Sequence, residues 1–214
     1  MRVISGTARG RRLVSFRGDK IRPTADKVKG SVFNIIASNF GPLENMEVLD
    51  LFSGTGNLGI EALSRGADKA VFVDENRGSI NILKENIGIC GLAERSEIIQ
   101  ATVESGIKIL SKRETRFNLV FLDPPYEKGL IEKTMEEIVS KDILEDGAVV
   151  IAEHSVREQP LMGYGGLTLT DRRKYGDTAI SFYTFENTLL PHPHPNPPLE
   201  GEGIGKVPLH QGED

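Results

Sequence analysis

The region from Glu47 to Ala152 alternates short apolar runs with amphipathic stretches, and this alternation restricts the fold more than any other feature. The apolar runs predict strands at residues 48–51, 70–73, 97–100, 119–122 and 148–152. Helices are predicted between them, at about residues 58–65, 77–87, 104–110 and 130–140. Because neighbouring parallel strands need a crossover connection, these repeated units predict an α/β fold with a Rossmann-like, doubly wound, mainly parallel sheet.

The segments that flank this region are predicted to add a hairpin at each end. Residues 168–174 and 179–185 form a terminal antiparallel pair that turns across Gly176 and Asp177. Residues 1–16 form an N-terminal β-hairpin, and Pro23 then leads into a helix that Thr24 caps and Gly41 ends. Helical spacing predicts one buried stripe on this helix, made of Val28, Val32, Ile35 and Ile36.

The chain divides into three predicted parts: a basic β-hairpin extension (1–30), a catalytic domain (31–186) and a disordered tail (187–214). The tail has five prolines between Pro191 and Pro198 and little apolar surface to bury. With one cysteine, 38% hydrophobic and 27% charged residues, the 214-residue chain lacks a disulfide framework and a cysteine metal cluster. Since we see no signal peptide and no apolar run that would cross a bilayer, we expect a soluble, cytoplasmic protein.

Charge is distributed unevenly along the chain. Residues 1–30 contain nine Lys or Arg and two Asp, a net charge of +7. Since the whole chain carries −5, the remaining residues carry −12. A basic arm on an acidic body attracts a phosphate backbone, although a merely solvated surface has the same composition.

The segment Asp50-Leu51-Phe52-Ser53-Gly54-Thr55-Gly56 connects the first strand to a helix and is predicted to bind a ligand. Glycine accepts positive φ angles and lets the backbone approach a ligand closely. Asp50 offers a carboxylate to an amino group, and Asp74, at the end of the next strand, can accept hydrogen bonds from both hydroxyls of a ribose. Because Gly54, Gly56 and Gly59 also match the dinucleotide fingerprint, these residues predict an adenosine ligand without identifying it.

The tetrapeptide Asp123-Pro124-Pro125-Tyr126 follows the fourth strand and identifies the reaction. An exocyclic amine on a nucleobase is a poor nucleophile, because its lone pair is delocalised into the ring. The Asp123 carboxylate and the Pro124 carbonyl are two acceptors that hold such an amine and localise the lone pair, while Pro125 stiffens the loop. Tyr126 can stack on the flat base, an interaction worth about 1–3 kcal/mol.

With these motifs the chain resembles the RsmD type of 16S ribosomal RNA guanine-N2 methyltransferase, from Arg2 to about Phe185. The resemblance implies a class I methyltransferase fold and S-adenosylmethionine as donor. It also implies methylation of a guanine N2 in small-subunit rRNA within a partly assembled 30S particle. The motifs that carry it are Arg2-Val3-Ile4-Ser5-Gly6, Gly10-Arg11-Arg12-Leu13, Arg22-Pro23-Thr24, Phe33-Asn34, the Asp50–Gly56 and Asp123–Tyr126 segments, Glu153-His154 and Tyr175-Gly176.

The candidate site residues follow from the motifs and from this resemblance. The donor contacts are assigned to Asp50, Phe52, Ser53, Gly54, Thr55, Gly56, Asp74, Glu75, Thr102 and Val103. The catalytic residues are Asp123, Pro124, Pro125 and Tyr126, and no metal is expected. The RNA contacts are assigned to Arg9, Arg11, Arg12, Arg22 and Thr24. Two features depart from the family: Thr102 stands where similar proteins carry Asp or Asn, and the proline-rich tail has no counterpart.

Three alternatives remain open from the residues alone. An adenine-N6 DNA methyltransferase uses the same tetrapeptide, although such enzymes normally add a DNA-recognition region. An NAD-dependent oxidoreductase fits the glycine spacing and Asp74 but leaves the Asp123–Tyr126 segment without a role. A non-catalytic RNA-binding module would use the basic arm alone.

Overall fold

A computed structural model describes residues 1–16, 23–126 and 128–187, with the side chains of 23–25 excluded. Within these residues, the helices are α1 (Pro23–Asn39), α2 (Asn57–Ser64), α3 (Arg77–Cys90), α4 (Val103–Lys112) and α5 (Leu130–Ser140). The strands are β1 (Glu47–Leu51), β2 (Lys69–Asp74), β3 (Ser96–Gln100), β4 (Phe117–Leu122), β5 (Leu144–Ser155), β6 (Gly163–Tyr164), β7 (Leu167–Tyr175) and β8 (Thr178–Phe185). A short 3-10 helix spans Ala93–Arg95.

The eight strands form one sheet in the order β3-β2-β1-β4-β5-β8-β7-β6. Strands β1 to β5 pair in parallel, whereas β8, β7 and β6 extend the sheet in antiparallel fashion beyond β5. The strand order reverses between β1 and β4, so a crevice opens there at the carboxyl ends of the strands. The predicted α/β class, the mainly parallel sheet and the terminal antiparallel pair are therefore confirmed.

Each face of the sheet is covered by its own apolar core. One core packs α1, α2, α3 and the N-terminal segment against the face that carries Phe121 and Ile151. The other packs α4 and α5 against the face that carries Leu122 and Ala152. Because side chains alternate between faces along a strand, Asp50 belongs to the same face as Phe121, with which it pairs in register.

The N-terminal segment is fastened to α2 by a buried carboxylate. Glu61 is fully buried and accepts hydrogen bonds from the backbone N–H groups of Ile4 (2.8 Å) and Ser5 (3.0 Å). Lys29 and Arg65 form ion pairs with the same carboxylate, at 3.2 and 2.8 Å. These contacts attach the segment to the helices that flank the site.

Close backbone packing completes this attachment and requires a glycine. The φ angle of Gly6 is +82°, and a Cβ atom there would lie 1.7 Å from the carbonyl oxygen of Ser64. Val3, Ala8 and Leu13 are buried in the core that α1 and α2 share. The N-terminal segment is therefore an integral part of the folded domain, because its apolar side chains belong to the same core as α1 and α2.

The structure differs from the sequence predictions in details at element ends. The predicted N-terminal hairpin is shorter than expected: one antiparallel bridge joins Arg2 and Arg12, and backbone hydrogen bonds cross from Val3 to Arg11 and from Leu13 to Met1. Between these pairs, residues on either side of Gly6 bond to α2 instead of to a partner strand. Helix α1 begins at Pro23, so the predicted cap Thr24 lies inside its first turn, consistent with the preference of proline for the first helical position. Strand β5 begins at Leu144 rather than at about 148. The exposed residues 145–147 interrupt the apolar run from which the strand was predicted.

The buried stripe predicted for α1 and the disorder predicted for the tail have different outcomes. Val32 and Ile36 are buried, while Val28 and Ile35 are half-buried against the same core, so the predicted stripe is confirmed. The predicted disorder of the tail concerns residues that, apart from Asn187, lie outside the described part of the chain. No helix among the described residues is long and apolar enough to span a bilayer.

Candidate active site

The loop between β1 and α2 has the backbone that its glycines predict. The φ angles of Gly54 and Gly56 are +53° and +83°, and that of Phe52 is +58°. A Cβ atom on Gly56 would lie 2.3 Å from the Leu83 side chain, so this position requires glycine for space as well as for conformation. The strained angle at Phe52 turns the chain at the strand end and directs it along the crevice.

Asp74 holds this loop from the neighbouring strand. One carboxylate oxygen accepts a hydrogen bond from the Gly54 N–H (2.8 Å), and the other accepts one from the Asn76 N–H (2.7 Å). Asp74 does not cap α3, because Asn76 is the N-cap and accepts from the N–H groups of Gly78 and Ser79. Its carboxylate is therefore available to the crevice as well as to the loop.

Asp50 is buried beneath the loop. Its carboxylate accepts a hydrogen bond from the Gly59 N–H at 2.9 Å in the first turn of α2. Burial raises its pKa to about 7, although the Gly59 bond opposes the shift. A cationic group beside Asp50 would favour the carboxylate form.

The larger cavity, of about 810 Å³, lies at the ends of β1, β2, β3 and β4. Thr102 is the N-cap of α4, where its hydroxyl accepts from the Ser105 N–H (3.2 Å) and bonds to the Ser105 hydroxyl (3.0 Å). The predicted residues that line this cavity are Phe52, Asp74, Glu75, Thr102, Val103 and the Asp123–Tyr126 segment. Its remaining lining, from α3, α4 and α5, was not predicted: Asn76, Ser79, Glu104, Leu130, Lys133, Thr134 and Glu137.

The smaller cavity, of about 410 Å³, adjoins the larger one. Phe52, Asp123 and Tyr126 line both cavities and therefore mark their junction. Its predicted lining residues also include Asp50 and Ser53. The Ser53 hydroxyl oxygen is buried, and within the described residues it has no hydrogen-bond partner. An unpaired buried hydroxyl at a cavity is a place where a ligand can bond.

Asp123 lies at the junction and next to a second acid. Phe121 pairs with Ile151 and Leu122 with Ala152, so the next residues in register are Asp123 and Glu153. The Asp123 side chain faces the two cavities and is surrounded by their walls. Desolvation there raises the pKa of Asp123 well above its usual range. The neighbouring Glu153 and Asp50 carboxylates add to the rise. Burial also raises the pKa of Glu153.

Tyr126 is 42% exposed and is fixed by its hydroxyl. The hydroxyl donates to Oε1 of Glu153 (2.9 Å) and lies 3.2 Å from Oγ1 of Thr178. Desolvation raises the Tyr126 pKa, so the phenol stays protonated. The ring is thus a fixed flat surface beside Asp123, as stacking on a base requires.

The far wall of the smaller cavity comes from segments that are distant in sequence. Lys29 is buried and donates to the backbone oxygen of Arg2 and to the Asn57 side chain, both at 2.8 Å. Tyr175 precedes the β7–β8 turn and its hydroxyl contacts that of Ser31 in α1 at 2.6 Å. The sequence assigned no role to Asn57, Glu153 or the 175–178 turn, although Glu153 and Tyr175 stand in motifs. It counted Lys29 among the charges of the basic arm, whereas the structure buries this lysine against Glu61.

The predicted RNA contacts fall on the outer surface of the N-terminal segment. Arg9, Arg11 and Arg12 are exposed there. Arg22 and the side chain of Thr24 lie outside the described residues. Among the described residues, no group of three or more His, Cys, Asp or Glu is arranged to hold a metal ion. His154 is buried and bonds to the Ser155 carbonyl and the Ser181 hydroxyl, which is a structural role.

Comparisons with known proteins agree over nearly the whole chain. The family described as Conserved hypothetical protein 95 matches residues 1–184. The Bacillus subtilis protein named "Putative rRNA methyltransferase YlbH" is 38% identical over 86% of this chain and 98% of its own length. "Ribosomal RNA small subunit methyltransferase D" of Haemophilus influenzae is 31% identical over 87% of this chain and 94% of its own. The solved structure titled "Putative methyltransferase yhhF from Escherichia coli" has a TM-score of 0.74 and 27% identity over 87% of this chain and 98% of that one.

Proposed function

The chain belongs to the Conserved hypothetical protein 95 family, the family of ribosomal RNA small subunit methyltransferase D, and we propose that it methylates small-subunit (16S) rRNA at N2 of a guanine, with S-adenosylmethionine as donor. The observation that carries the proposal is the position of the Asp123–Tyr126 segment at the junction of two cavities. One cavity suits an adenosine and the other suits a methionine group and a target base. Such a substrate implies a cytoplasmic enzyme.

The residues present fit the donor. Asp74 offers its carboxylate to the ribose hydroxyls in the larger cavity, and Thr102 offers its hydroxyl oxygen to the adenine amine. In the smaller cavity, the unpaired Ser53 hydroxyl suits the carboxylate of the methionine group. Asp50 suits the ammonium of the same group, which would lower the raised pKa of that carboxyl. When bound, S-adenosylmethionine supplies an electrophilic methyl group on a sulfonium.

The Asp123–Tyr126 segment orients and activates the amine. Asp123 and the Pro124 carbonyl accept hydrogen bonds from the two N–H groups, which directs the nitrogen lone pair toward the methyl group. As the new N–C bond forms and the S–C bond breaks, one proton leaves the nitrogen, and the raised pKa of Asp123 makes this carboxylate a suitable acceptor. Tyr126 stacks on the base and holds it in line.

The glycine loop favours a methyl donor over NAD. The Gly59 N–H, which belongs to the matching dinucleotide fingerprint, is bonded to the buried carboxylate of Asp50. A carboxylate at the first turn of α2 would repel the pyrophosphate that a Rossmann enzyme binds there. The same carboxylate attracts the ammonium of a methionine group.

The exposed arginines of the N-terminal segment suit the phosphate backbone of the RNA. Arg9, Arg11 and Arg12 lie on the outer surface of a segment that also walls the smaller cavity through Met1. Contacts to phosphate position a nucleic acid without reading its sequence. The RNA-binding surface is therefore proposed to continue into the base-binding cavity.

A methyl-transfer assay tests the proposal. Labelled S-adenosylmethionine is offered with unmodified 30S particles, naked rRNA or genomic DNA, and the products are digested to nucleosides. We expect N2-methylguanosine from one position of small-subunit rRNA, with particles as the better substrate. N6-methyladenine in DNA would replace the proposal with the adenine alternative, and no transfer to any of the three would overturn it.

A further inference from the structure

We infer that Glu153 determines the base specificity of the enzyme by accepting a hydrogen bond from the ring N1–H of the target guanine. The inference rests on the proposed function, in which Asp123 holds the exocyclic amine of the guanine. It assigns Glu153 as the partner of the N1–H group that lies next to that amine in the ring. It gives a recognition role to a carboxylate that the chemistry of methyl transfer does not need. It also explains how the site can distinguish guanine from adenine.

The placement of Glu153 follows from the sheet. Strands β4 and β5 are parallel neighbours, and their register puts Glu153 beside Asp123. Glu153 shares a face with Ile151, and its side chain lines the smaller cavity together with Asp123 and Tyr126. Two carboxylates thus stand side by side where the target base would lie against the Tyr126 ring.

The bonding of Glu153 leaves an acceptor for a ligand. Oε1 accepts the hydrogen bond from the Tyr126 hydroxyl at 2.9 Å, which fixes the orientation of the carboxylate. Within residues 1–16, 23–126 and 128–187, Oε2 has no hydrogen-bond partner. The side chain is half-buried and Oε2 is not a buried atom, so water can solvate it in the free protein. A base seated against Tyr126 would displace that water, and the oxygen would then need a donor from the base.

The chemistry of the bases shows which donor fits. In guanine the exocyclic amine is flanked by the ring N1–H, a donor, so two adjacent carboxylates can each accept from the same edge. In adenine and cytosine the ring nitrogen next to the amine is an acceptor, whose lone pair would face Glu153. A site built to receive a donor rejects an analogue that lacks it, because its buried acceptor is left unpaired.

The test compares guanine with 2-aminopurine, which keeps the 2-amino group but has a bare acceptor at N1. Small-subunit rRNA is made by splinted ligation with either base at the nucleotide that the wild-type protein methylates. Single-turnover rates are measured with saturating donor for the wild type and for Glu153→Gln. The amide of glutamine can donate to the bare N1 of 2-aminopurine, which the carboxylate cannot.

We expect the wild type to methylate guanine at least about tenfold faster than 2-aminopurine, and Glu153→Gln to reduce this ratio at least about tenfold. The matched control is Thr178→Ala, which removes the other partner of the Tyr126 hydroxyl and leaves Glu153 in place. This control should leave the ratio within about twofold of the wild-type value. A ratio that Thr178→Ala lowers as much as Glu153→Gln does would show that Glu153 acts only by holding Tyr126.

The other outcomes are equally decisive. Unchanged discrimination in Glu153→Gln, with donor affinity retained, overturns the inference while the proposed function stands. Failure of the wild type to form N2-methylguanosine in the guanine RNA refutes the proposed function and the inference together. If Glu153→Gln does not fold, Glu153→Asp replaces it in the test, because this variant keeps the negative charge on a side chain that is one methylene shorter. It should slow the methylation of guanine without raising the rate for 2-aminopurine relative to guanine.

Discussion

The two cavities of this protein meet at Asp123 but are built in different ways. The larger cavity is formed largely by residues at or just beyond the ends of parallel strands, such as Asp74 at the end of β2 and Thr102 beyond β3. The smaller cavity collects groups from α1 and, more than a hundred residues later in the chain, from β5 and the β7–β8 turn. The difference teaches that the cavity proposed for the adenosine can be specified by local strand ends. The cavity proposed for the methionine group and the target base depends instead on how distant segments pack.

The largest expected effect separates turnover from donor binding. Asp123→Ala removes an acceptor of the target amine, so we expect the single-turnover rate to fall about 100-fold while the Kd for S-adenosylmethionine changes little. Rates with saturating donor and calorimetric titration measure the two quantities. Asp68→Ala, an exposed carboxylate before β2, is the matched control and should behave as the wild type.

This prediction fails if Asp123→Ala turns over at the wild-type rate. It also fails if the variant loses donor affinity as severely as turnover. In that event Asp123 would not act on the target amine alone.

The complementary change lies in the larger cavity. Asp74→Ala removes the proposed ribose acceptor and the carboxylate that holds the Gly54 N–H, so the Kd for S-adenosylmethionine should rise about tenfold to 100-fold. Titration calorimetry measures the affinity, with Glu94→Ala in the exposed 3-10 turn as control. Wild-type affinity in Asp74→Ala would place the adenosine elsewhere.

The affinity for S-adenosylmethionine should depend on pH through Asp50, which lines the smaller cavity where the methionine group is proposed to bind. Because the pKa of Asp50 is raised to about 7, this carboxyl holds a proton below that pH and loses it above. The proposed ammonium contact needs the carboxylate, so donor affinity should rise with pH from 6 to 7 by at most about tenfold per pH unit and then level off.

Asp50→Asn is the test of this assignment. It should weaken donor binding above pH 7 and shrink the dependence of affinity on pH. Calorimetry in buffers of different ionisation enthalpy should detect proton release on binding to the wild type near pH 6. If the affinity of the wild type for S-adenosylmethionine fell as the pH rises from 6 to 7, the predicted direction of the pH dependence would be wrong.

The smallest expected effect concerns the surface that leads into the smaller cavity. Arg11→Gln with Arg12→Gln should weaken rRNA binding several-fold and reduce the slope of log affinity against log salt by about 1.4–1.8. Filter binding over a range of salt measures both quantities. Lys112→Gln with Arg113→Gln, which removes the same charge near the C-terminal end of α4, is the control. A slope unaltered by the Arg11 and Arg12 changes would mean that the segment does not contact phosphate.

The sequence predicted the parallel sheet and the larger cavity because the determining signals are local. Apolar runs mark the strands, and Phe52, Asp74 and Thr102 stand at or just beyond strand ends, where such sheets bind ligands. The wall of the smaller cavity escaped prediction because its contacts are tertiary. Nothing near Lys29 in the sequence indicates that it lies against Glu61 and Asn57, and nothing near Glu153 indicates its bond to Tyr126.

The N-terminal segment forms a shorter hairpin than predicted for the same physical reason. Its alternating residues predict two strands, but the backbone N–H groups of Ile4, Ser5 and Ala8 are taken by Glu61 and Ser64 of α2, so few residues pair across the hairpin. Helix-side acceptors buried at that point compete successfully with strand pairing. The charged and turn residues of the segment do not indicate that acceptors on α2 would bind its backbone N–H groups.

The division of the cleft is tested most directly by a crystal structure with S-adenosylhomocysteine. The account predicts the adenosine in the larger cavity, with its ribose hydroxyls bonded to Asp74, and the sulfur at the junction lined by Phe52, Asp123 and Tyr126. The part of the smaller cavity beside Glu153 should stay free for a base. An adenosine seated in the smaller cavity, or a sulfur remote from Asp123, would contradict it.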